Sequence, residues 1–119
     1  MDQAHDRVAS AQEMLASGHL EVAVSAAYYA MLYAARAALS ERDEYARTHS
    51  GTWHLFRDRY VNSDAFDQHL FALAHQAQSA REGGDYEAIT PERAEAERIV
   101  TGAGDFVAAV VNMLDTQTP

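Results

Sequence analysis

The chain has no cysteine, no lysine and only two prolines. Without cysteine there is no disulfide and no thiolate metal site, and a reducing cytoplasm is the natural compartment. Prolines at 91 and 119 leave the periodic segments unbroken, so helices can run long. The start, Met1-Asp2-Gln3-Ala4-His5-Asp6, is polar and acidic, without the basic and apolar regions of a signal peptide. The nearly apolar stretch from Val22 to Ala35, broken by Ser25, is too short and too alanine-rich to span a bilayer. A cytoplasmic location is therefore expected. No Walker loop, dinucleotide-binding glycine motif or Ser-His-Asp pattern occurs. The Glu-x-x-His pairs of a ferritin-like bundle are missing, and His69 and His75, six apart, fall on different faces of a helix. The sequence thus asks for no metal and no cofactor.

What is present fits one domain over residues 1–119, with apolar residues at 48 %, enough for a single core. The net charge is −9, from nine arginines and eighteen acids. Such an acidic surface repels phosphate backbones in general. The charge is uneven, however. From Arg36 to Arg59 five arginines meet four acids, a net of +1 that leaves −10 for the rest. A phosphate-bearing partner would dock near this segment, unless its arginines simply pair with neighbouring acids.

Helical periodicity dominates and predicts an all-α antiparallel bundle of about five helices. The first helix spans about Asp2 to Ser17, with Val8, Ala11 and Leu15 on one stripe and Gly18 as its left-handed cap. The second spans about His19 to Glu41. Its middle is apolar on every face, so it must be enclosed by the others. The third spans about Ser50 to Val61, with Trp53, Phe56 and Tyr60 on a buried edge. Asn62, Ser63 and Asp64 supply N-cap chemistry for a fourth helix, about Asp64 to Glu82, with Phe66, Leu70, Leu73 and Ala77 on one face. Gly83-Gly84 is expected to end it. Thr90-Pro91-Glu92 reads as the start of a fifth helix reaching about Leu114, with Ile99, Ala103, Phe106, Val110 and Met113 inward. Gly102 and Gly104 inside it imply a closely packed neighbouring backbone.

Three short motifs resemble the HEPN (higher eukaryotes and prokaryotes nucleotide-binding) family. Ser25-Ala-Ala-Tyr28-Tyr29-Ala30, followed by an alanine-rich stretch, looks like its central helix. Thr48-His49-Ser50-Gly51 resembles the Thr-His-x-Gly that opens its next helix. Arg81-Glu82-Gly83-Gly84-Asp85-Tyr86 resembles its Arg-x-x-x-Asp-Tyr element. Phe106-Val107 resembles an apolar pair near the family's last helix end. The three motifs stand in order with helices between them. The resemblance implies a HEPN-like bundle, commonly a homodimer, paired with a minimal nucleotidyltransferase in a toxin–antitoxin arrangement.

Many HEPN proteins are metal-independent ribonucleases built on an arginine and a histidine with four to six residues between them. The histidine moves protons and the arginine holds charge developing on phosphorus. Arg47 and His54 have that spacing and are the candidate catalytic pair, with RNA as substrate under that reading. The pair nevertheless straddles a helix start, whereas the family motif sits on a later helix. There, Arg81 occupies the arginine's place but Tyr86 stands where a histidine would, and tyrosine, with a pKa of about 10, shuttles protons poorly at neutral pH. The leading expectation is therefore a non-catalytic HEPN module. His49, Arg81, Asp85, Tyr86 and Tyr29 are its candidate nucleotide- or anion-binding residues. Each also has a structural explanation: His49 in a helix start, Arg81 and Asp85 in a helix-ending turn, and the tyrosines in a core whose buried hydroxyls need partners. A third alternative is a purely structural or regulatory bundle.

Overall fold

The computed structural model describes the backbone of residues 1–87 and 90–117 and the side chains of residues 1–83 and 90–116. Among these residues there are five α-helices and no strand: α1 (Asp2–Ala16), α2 (Leu20–Ser40), α3 (His49–Phe56), α4 (Gln68–Glu87) and α5 (Arg93–Gln117). A π-helical segment, Arg57–Val61, continues α3. This is the expected all-α bundle, and α2 lies at its centre in contact with α1, α3, α4 and α5.

Composition explains the centre. Seven alanines of α2 (Ala23, Ala26, Ala27, Ala30, Ala34, Ala35, Ala38) are buried, together with Val24, Tyr28, Met31, Leu32 and Leu39. Small side chains let the other helices approach on several sides at once. The helix is longer than its uncharged middle: 21 residues, apolar enough by length and composition to cross a bilayer, with 67 % of that window buried inside the protein. Gly18, at φ +79°, closes α1. His19 N–H donates to Met14 O at 2.9 Å and Gly18 N–H to Leu15 O at 3.1 Å, the paired bonds of a Schellman cap.

Thr48 caps α3, its Oγ1 accepting from Gly51 N–H at 2.9 Å. Gly51 is part of that cap, because a Cβ there would lie 2.8 Å from Thr48 Oγ1. At Arg57 the register slips: Asn62 N–H donates to Arg57 O at 2.8 Å, five residues back. The segment is held by Tyr60, buried, whose hydroxyl donates to Ala38 O on α2 at 2.8 Å.

Three boundaries differ from the sequence reading. Asn62–Asp64 does not start α4. Asp64 sits at φ +63°, and Phe66 is drawn inward against Phe106 and Phe56, with ring centroids 4.7 and 5.0 Å away. Asp67 caps the helix instead, accepting from His69 N–H at 2.6 Å. The buried face of α4 is accordingly Phe71, Ala74 and Ala77, with Leu70 and Leu73 only partly covered.

Gly83-Gly84 does not end α4, which runs on to Glu87. Glycine costs a helix only about 1 kcal/mol, and Gly83 does not take up the left-handed conformation of a glycine helix cap. Nor does Thr90 cap α5. Its hydroxyl donates to Glu21 Oε1 on α2 at 3.0 Å, and α5 begins at Arg93. The inward stripe of α5 is as expected, Ile99, Ala103, Phe106, Val110 and Met113 all being buried. Gly102 faces a side chain rather than a backbone: a Cβ there would come within 1.8 Å of Leu73 Cδ2.

Candidate functional site

The central helix, the start of α3 and the C-terminal half of α4 bring five polar or aromatic residues together. Tyr28 is fully buried. Its oxygen accepts from Trp53 Nε1 at 3.2 Å and lies 3.1 Å from His49 Nδ1. With the indole N–H already donating to it, the phenol directs its own proton at Nδ1. The neutral imidazole then carries its hydrogen on Nε2. Both partners of the Tyr28 hydroxyl come from α3.

Burial, and then the charges of Arg36 and Arg81, hold His49 below the usual histidine range, against a weaker opposing pull from Glu82. Burial likewise pushes the Tyr28 phenol up, only partly offset by its bond to Trp53 and by Arg81. His49 is thus a neutral, hydrogen-bonded imidazole at pH 7. Arg81 lies over the ring of Tyr29, its Cζ 5.0 Å from the centroid, and 5.8 Å from that of Tyr28. Tyr29 also meets His49 edge-on at 5.9 Å. Cation–π placement holds the guanidinium against the ring face.

His49, Tyr29 and Arg81, proposed separately from the sequence, therefore share one cluster. The side chains of Asp85 and Tyr86 lie outside the described residues. Three members were missed. Arg7 on α1 reaches the rings of Tyr29 and Tyr33 at 5.9 and 5.7 Å. Arg36 donates to Thr52 Oγ1 at 3.3 Å and adds to the field at His49. Trp53 holds Tyr28. Only the i, i+4 spacing of Tyr29 and Tyr33 was visible; nothing in the sequence aligns α1 against that face.

Arg47 and His54 are not joined. Both are exposed, and among the described residues no hydrogen bond or ion pair links them. His54 lies next to Asp58 instead, Nε2 to Oδ2 at 3.2 Å, and next to Arg57, whose Nη2 is 3.4 Å from His54 Nδ1. Of the arginines in the basic segment, Arg42 and Arg59 are tied to Glu44, at 3.7 and 2.8 Å, so part of its surplus charge is spent within the protein.

A domain model described as "HEPN domain" matches residues 1–114. A protein of Methanocaldococcus jannaschii named "Putative toxin" is 27 % identical over 101 residues, covering 84 % of this chain and 69 % of that protein. A UPF0332 protein of Gloeobacter violaceus is 31 % identical over 86 residues, covering 72 % and 68 %. The helical order, the Tyr28–His49 junction between the second and third helices, and a domain match along nearly the whole chain agree, and the chain belongs to the HEPN family.

Proposed function

We propose that this protein is a non-catalytic HEPN module of a toxin–antitoxin-like system. It acts in the cytoplasm as a homodimer bound to a minimal nucleotidyltransferase-type partner, with a nucleotide held at His49, Tyr29 and Arg81. The observation that carries this reading is the commitment of His49: its Nδ1 is engaged by Tyr28 and its proton affinity is lowered. An imidazole so placed is suited to orienting a bound group through Nε2. Arg81, where the family's arginine would stand, is followed by Tyr86 rather than histidine. Arg81 and Arg7 around Tyr29 suit a phosphate beside a ring. The name of the archaeal relative supports the toxin–antitoxin setting.

Two measurements test it. Co-expressed with a minimal nucleotidyltransferase, the protein should copurify with it and show no RNA cleavage. ATP should raise the melting temperature, as any ligand of the native state does, and Arg81→Ala should abolish the rise. Growth arrest on expression alone, relieved by His54→Ala, would instead establish the ribonuclease reading.

A further inference from the structure

A second concave site lies on the far side of Trp53, between α3 and α4. It is a groove of about 240 Å³. Its floor is the buried pair Trp53 and Phe71, with ring centroids 6.2 Å apart. His54, Arg57 and His75 rise from its walls. His75 packs edge-on against Phe71 at 4.7 Å and reaches Trp53 at 6.3 Å. An aromatic floor under an arginine and two imidazoles is chemistry the bundle does not need for packing.

Arg57 is the centre of it. Among the described residues its side chain makes only one hydrogen bond, the long one to His54, and pairs with no carboxylate, in contrast to Arg42, Arg59 and Arg93. Asp58, the acid nearest in sequence, is turned to His54 Nε2. That contact turns Nε2 to the carboxylate and leaves Nδ1 facing Arg57. Asp58 thus positions His54, and His54 steadies the guanidinium while leaving most of its fork open. Arg57 is also the first residue of the π-helical segment. Such segments are rare and recur at functional sites, because the slipped register re-aims the side chains that follow. The rim adds neutral donors and acceptors, Ser50 and Gln78.

We propose that this groove binds a phosphate monoester carried on a planar ring, of the class of a nucleoside monophosphate. The phosphate sits on the Arg57 guanidinium, which His54 holds in place, and the ring lies against His75 over the Trp53–Phe71 floor. A volume slightly below that of an enclosed small-molecule pocket suits one such unit held with an open side. The site shares only the Trp53 wall with the His49–Arg81 cluster, and it does not depend on the reading of that cluster.

Trp53 is the sole tryptophan and forms the floor of the groove, so its emission responds to an occupant there. AMP titrated into the full-length protein should quench it saturably. Affinity should fall at least about tenfold in Arg57→Gln, the loss of a charge-assisted bidentate contact. Adenosine and inorganic phosphate should each bind more weakly than AMP. Arg57 is exposed, so the variant should keep its helical circular dichroism. Broadening of the AMP phosphorus resonance gives a second readout, expected with Arg57→Lys reduced and with Arg57→Gln lost. Equal quenching by adenosine and AMP, or AMP affinity unchanged in Arg57→Gln, overturns the proposal. So does affinity lost only in Arg81→Ala, which would put the nucleotide in the other cluster.

Discussion

Tyr28 has one oxygen and two neighbours that depend on it. Trp53 donates to it, and His49 Nδ1 lies within hydrogen-bond distance of it. Tyr28→Phe would leave a buried indole N–H without a partner and free His49 Nδ1. A buried donor left unmade costs about 1–3 kcal/mol. Chemical denaturation should show a loss in that range. Trp53 emission should shift as its N–H loses its acceptor, and an unchanged midpoint would mean the bond contributes nothing net. The sequence allowed that Tyr28 would be buried and would need a partner. It could not name the partner, since the two residues concerned lie 21 and 25 positions away.

The helices differ in how well their ends could be read. The α1 cap was visible because Gly18 follows the last periodic residue and nothing else competes for the role. The α4 end was misread because two glycines look like a stop wherever they occur. A Cβ at Gly83 meets nothing within 4 Å, so Gly83→Ala should raise the melting temperature. The gain is about 0.4–1 kcal/mol from a less flexible unfolded chain. Were the helix to stop at Gly83, the same change would lower it.

Gly102 on α5 is the opposite case, with Leu73 of α4 pressed into the place of its side chain. Gly102→Ala should destabilise by up to about 1 kcal/mol, because the new methyl must push aside the partly covered Leu73 and alanine's helix preference offsets part of that cost. Pairing it with Leu73→Ala should recover part of that loss, because the two positions share one space. The π-helical turn had no sequence signature. It exists because Tyr60 must reach Ala38 O while Phe66 enters the core, and both are tertiary demands.

At the scale of the molecule, the two histidines that are held neutral tie stability to pH. His49 is lowered by burial, then by Arg36 and Arg81; His75 by burial against its aromatic neighbours, then by Arg57. In the unfolded chain both titrate near 6.5. Below that value the unfolded state takes up protons that the folded state resists, so the folded state loses ground as pH falls. Their contribution is complete above about pH 6.5 and shrinks toward their depressed folded values. The melting temperature should therefore drop between about pH 7 and 5. The drop should be shallower in His49→Gln/His75→Gln than in the parent protein. An equal slope in both would assign the acid sensitivity to the carboxylates.

The sequence by itself determined the helical class, the enclosed second helix and the inward stripes of the third and fifth. These follow from local periodicity, which acts over three or four residues. It also carried the motifs by which the HEPN family was recognised. Only the tertiary structure decided that Arg57 and not Arg47 stands beside His54, and that His49, Tyr29 and Arg81 form one cluster with Arg7 and Arg36. It also decided where α4 begins and ends. Apart from the Arg57–His54 contact, which lies within one helical run, each of these is set by side chains from different helices competing for the same space or the same hydrogen-bond partner. That competition depends on how the helices cross, and their crossing is fixed only once α2 has gathered the others around it.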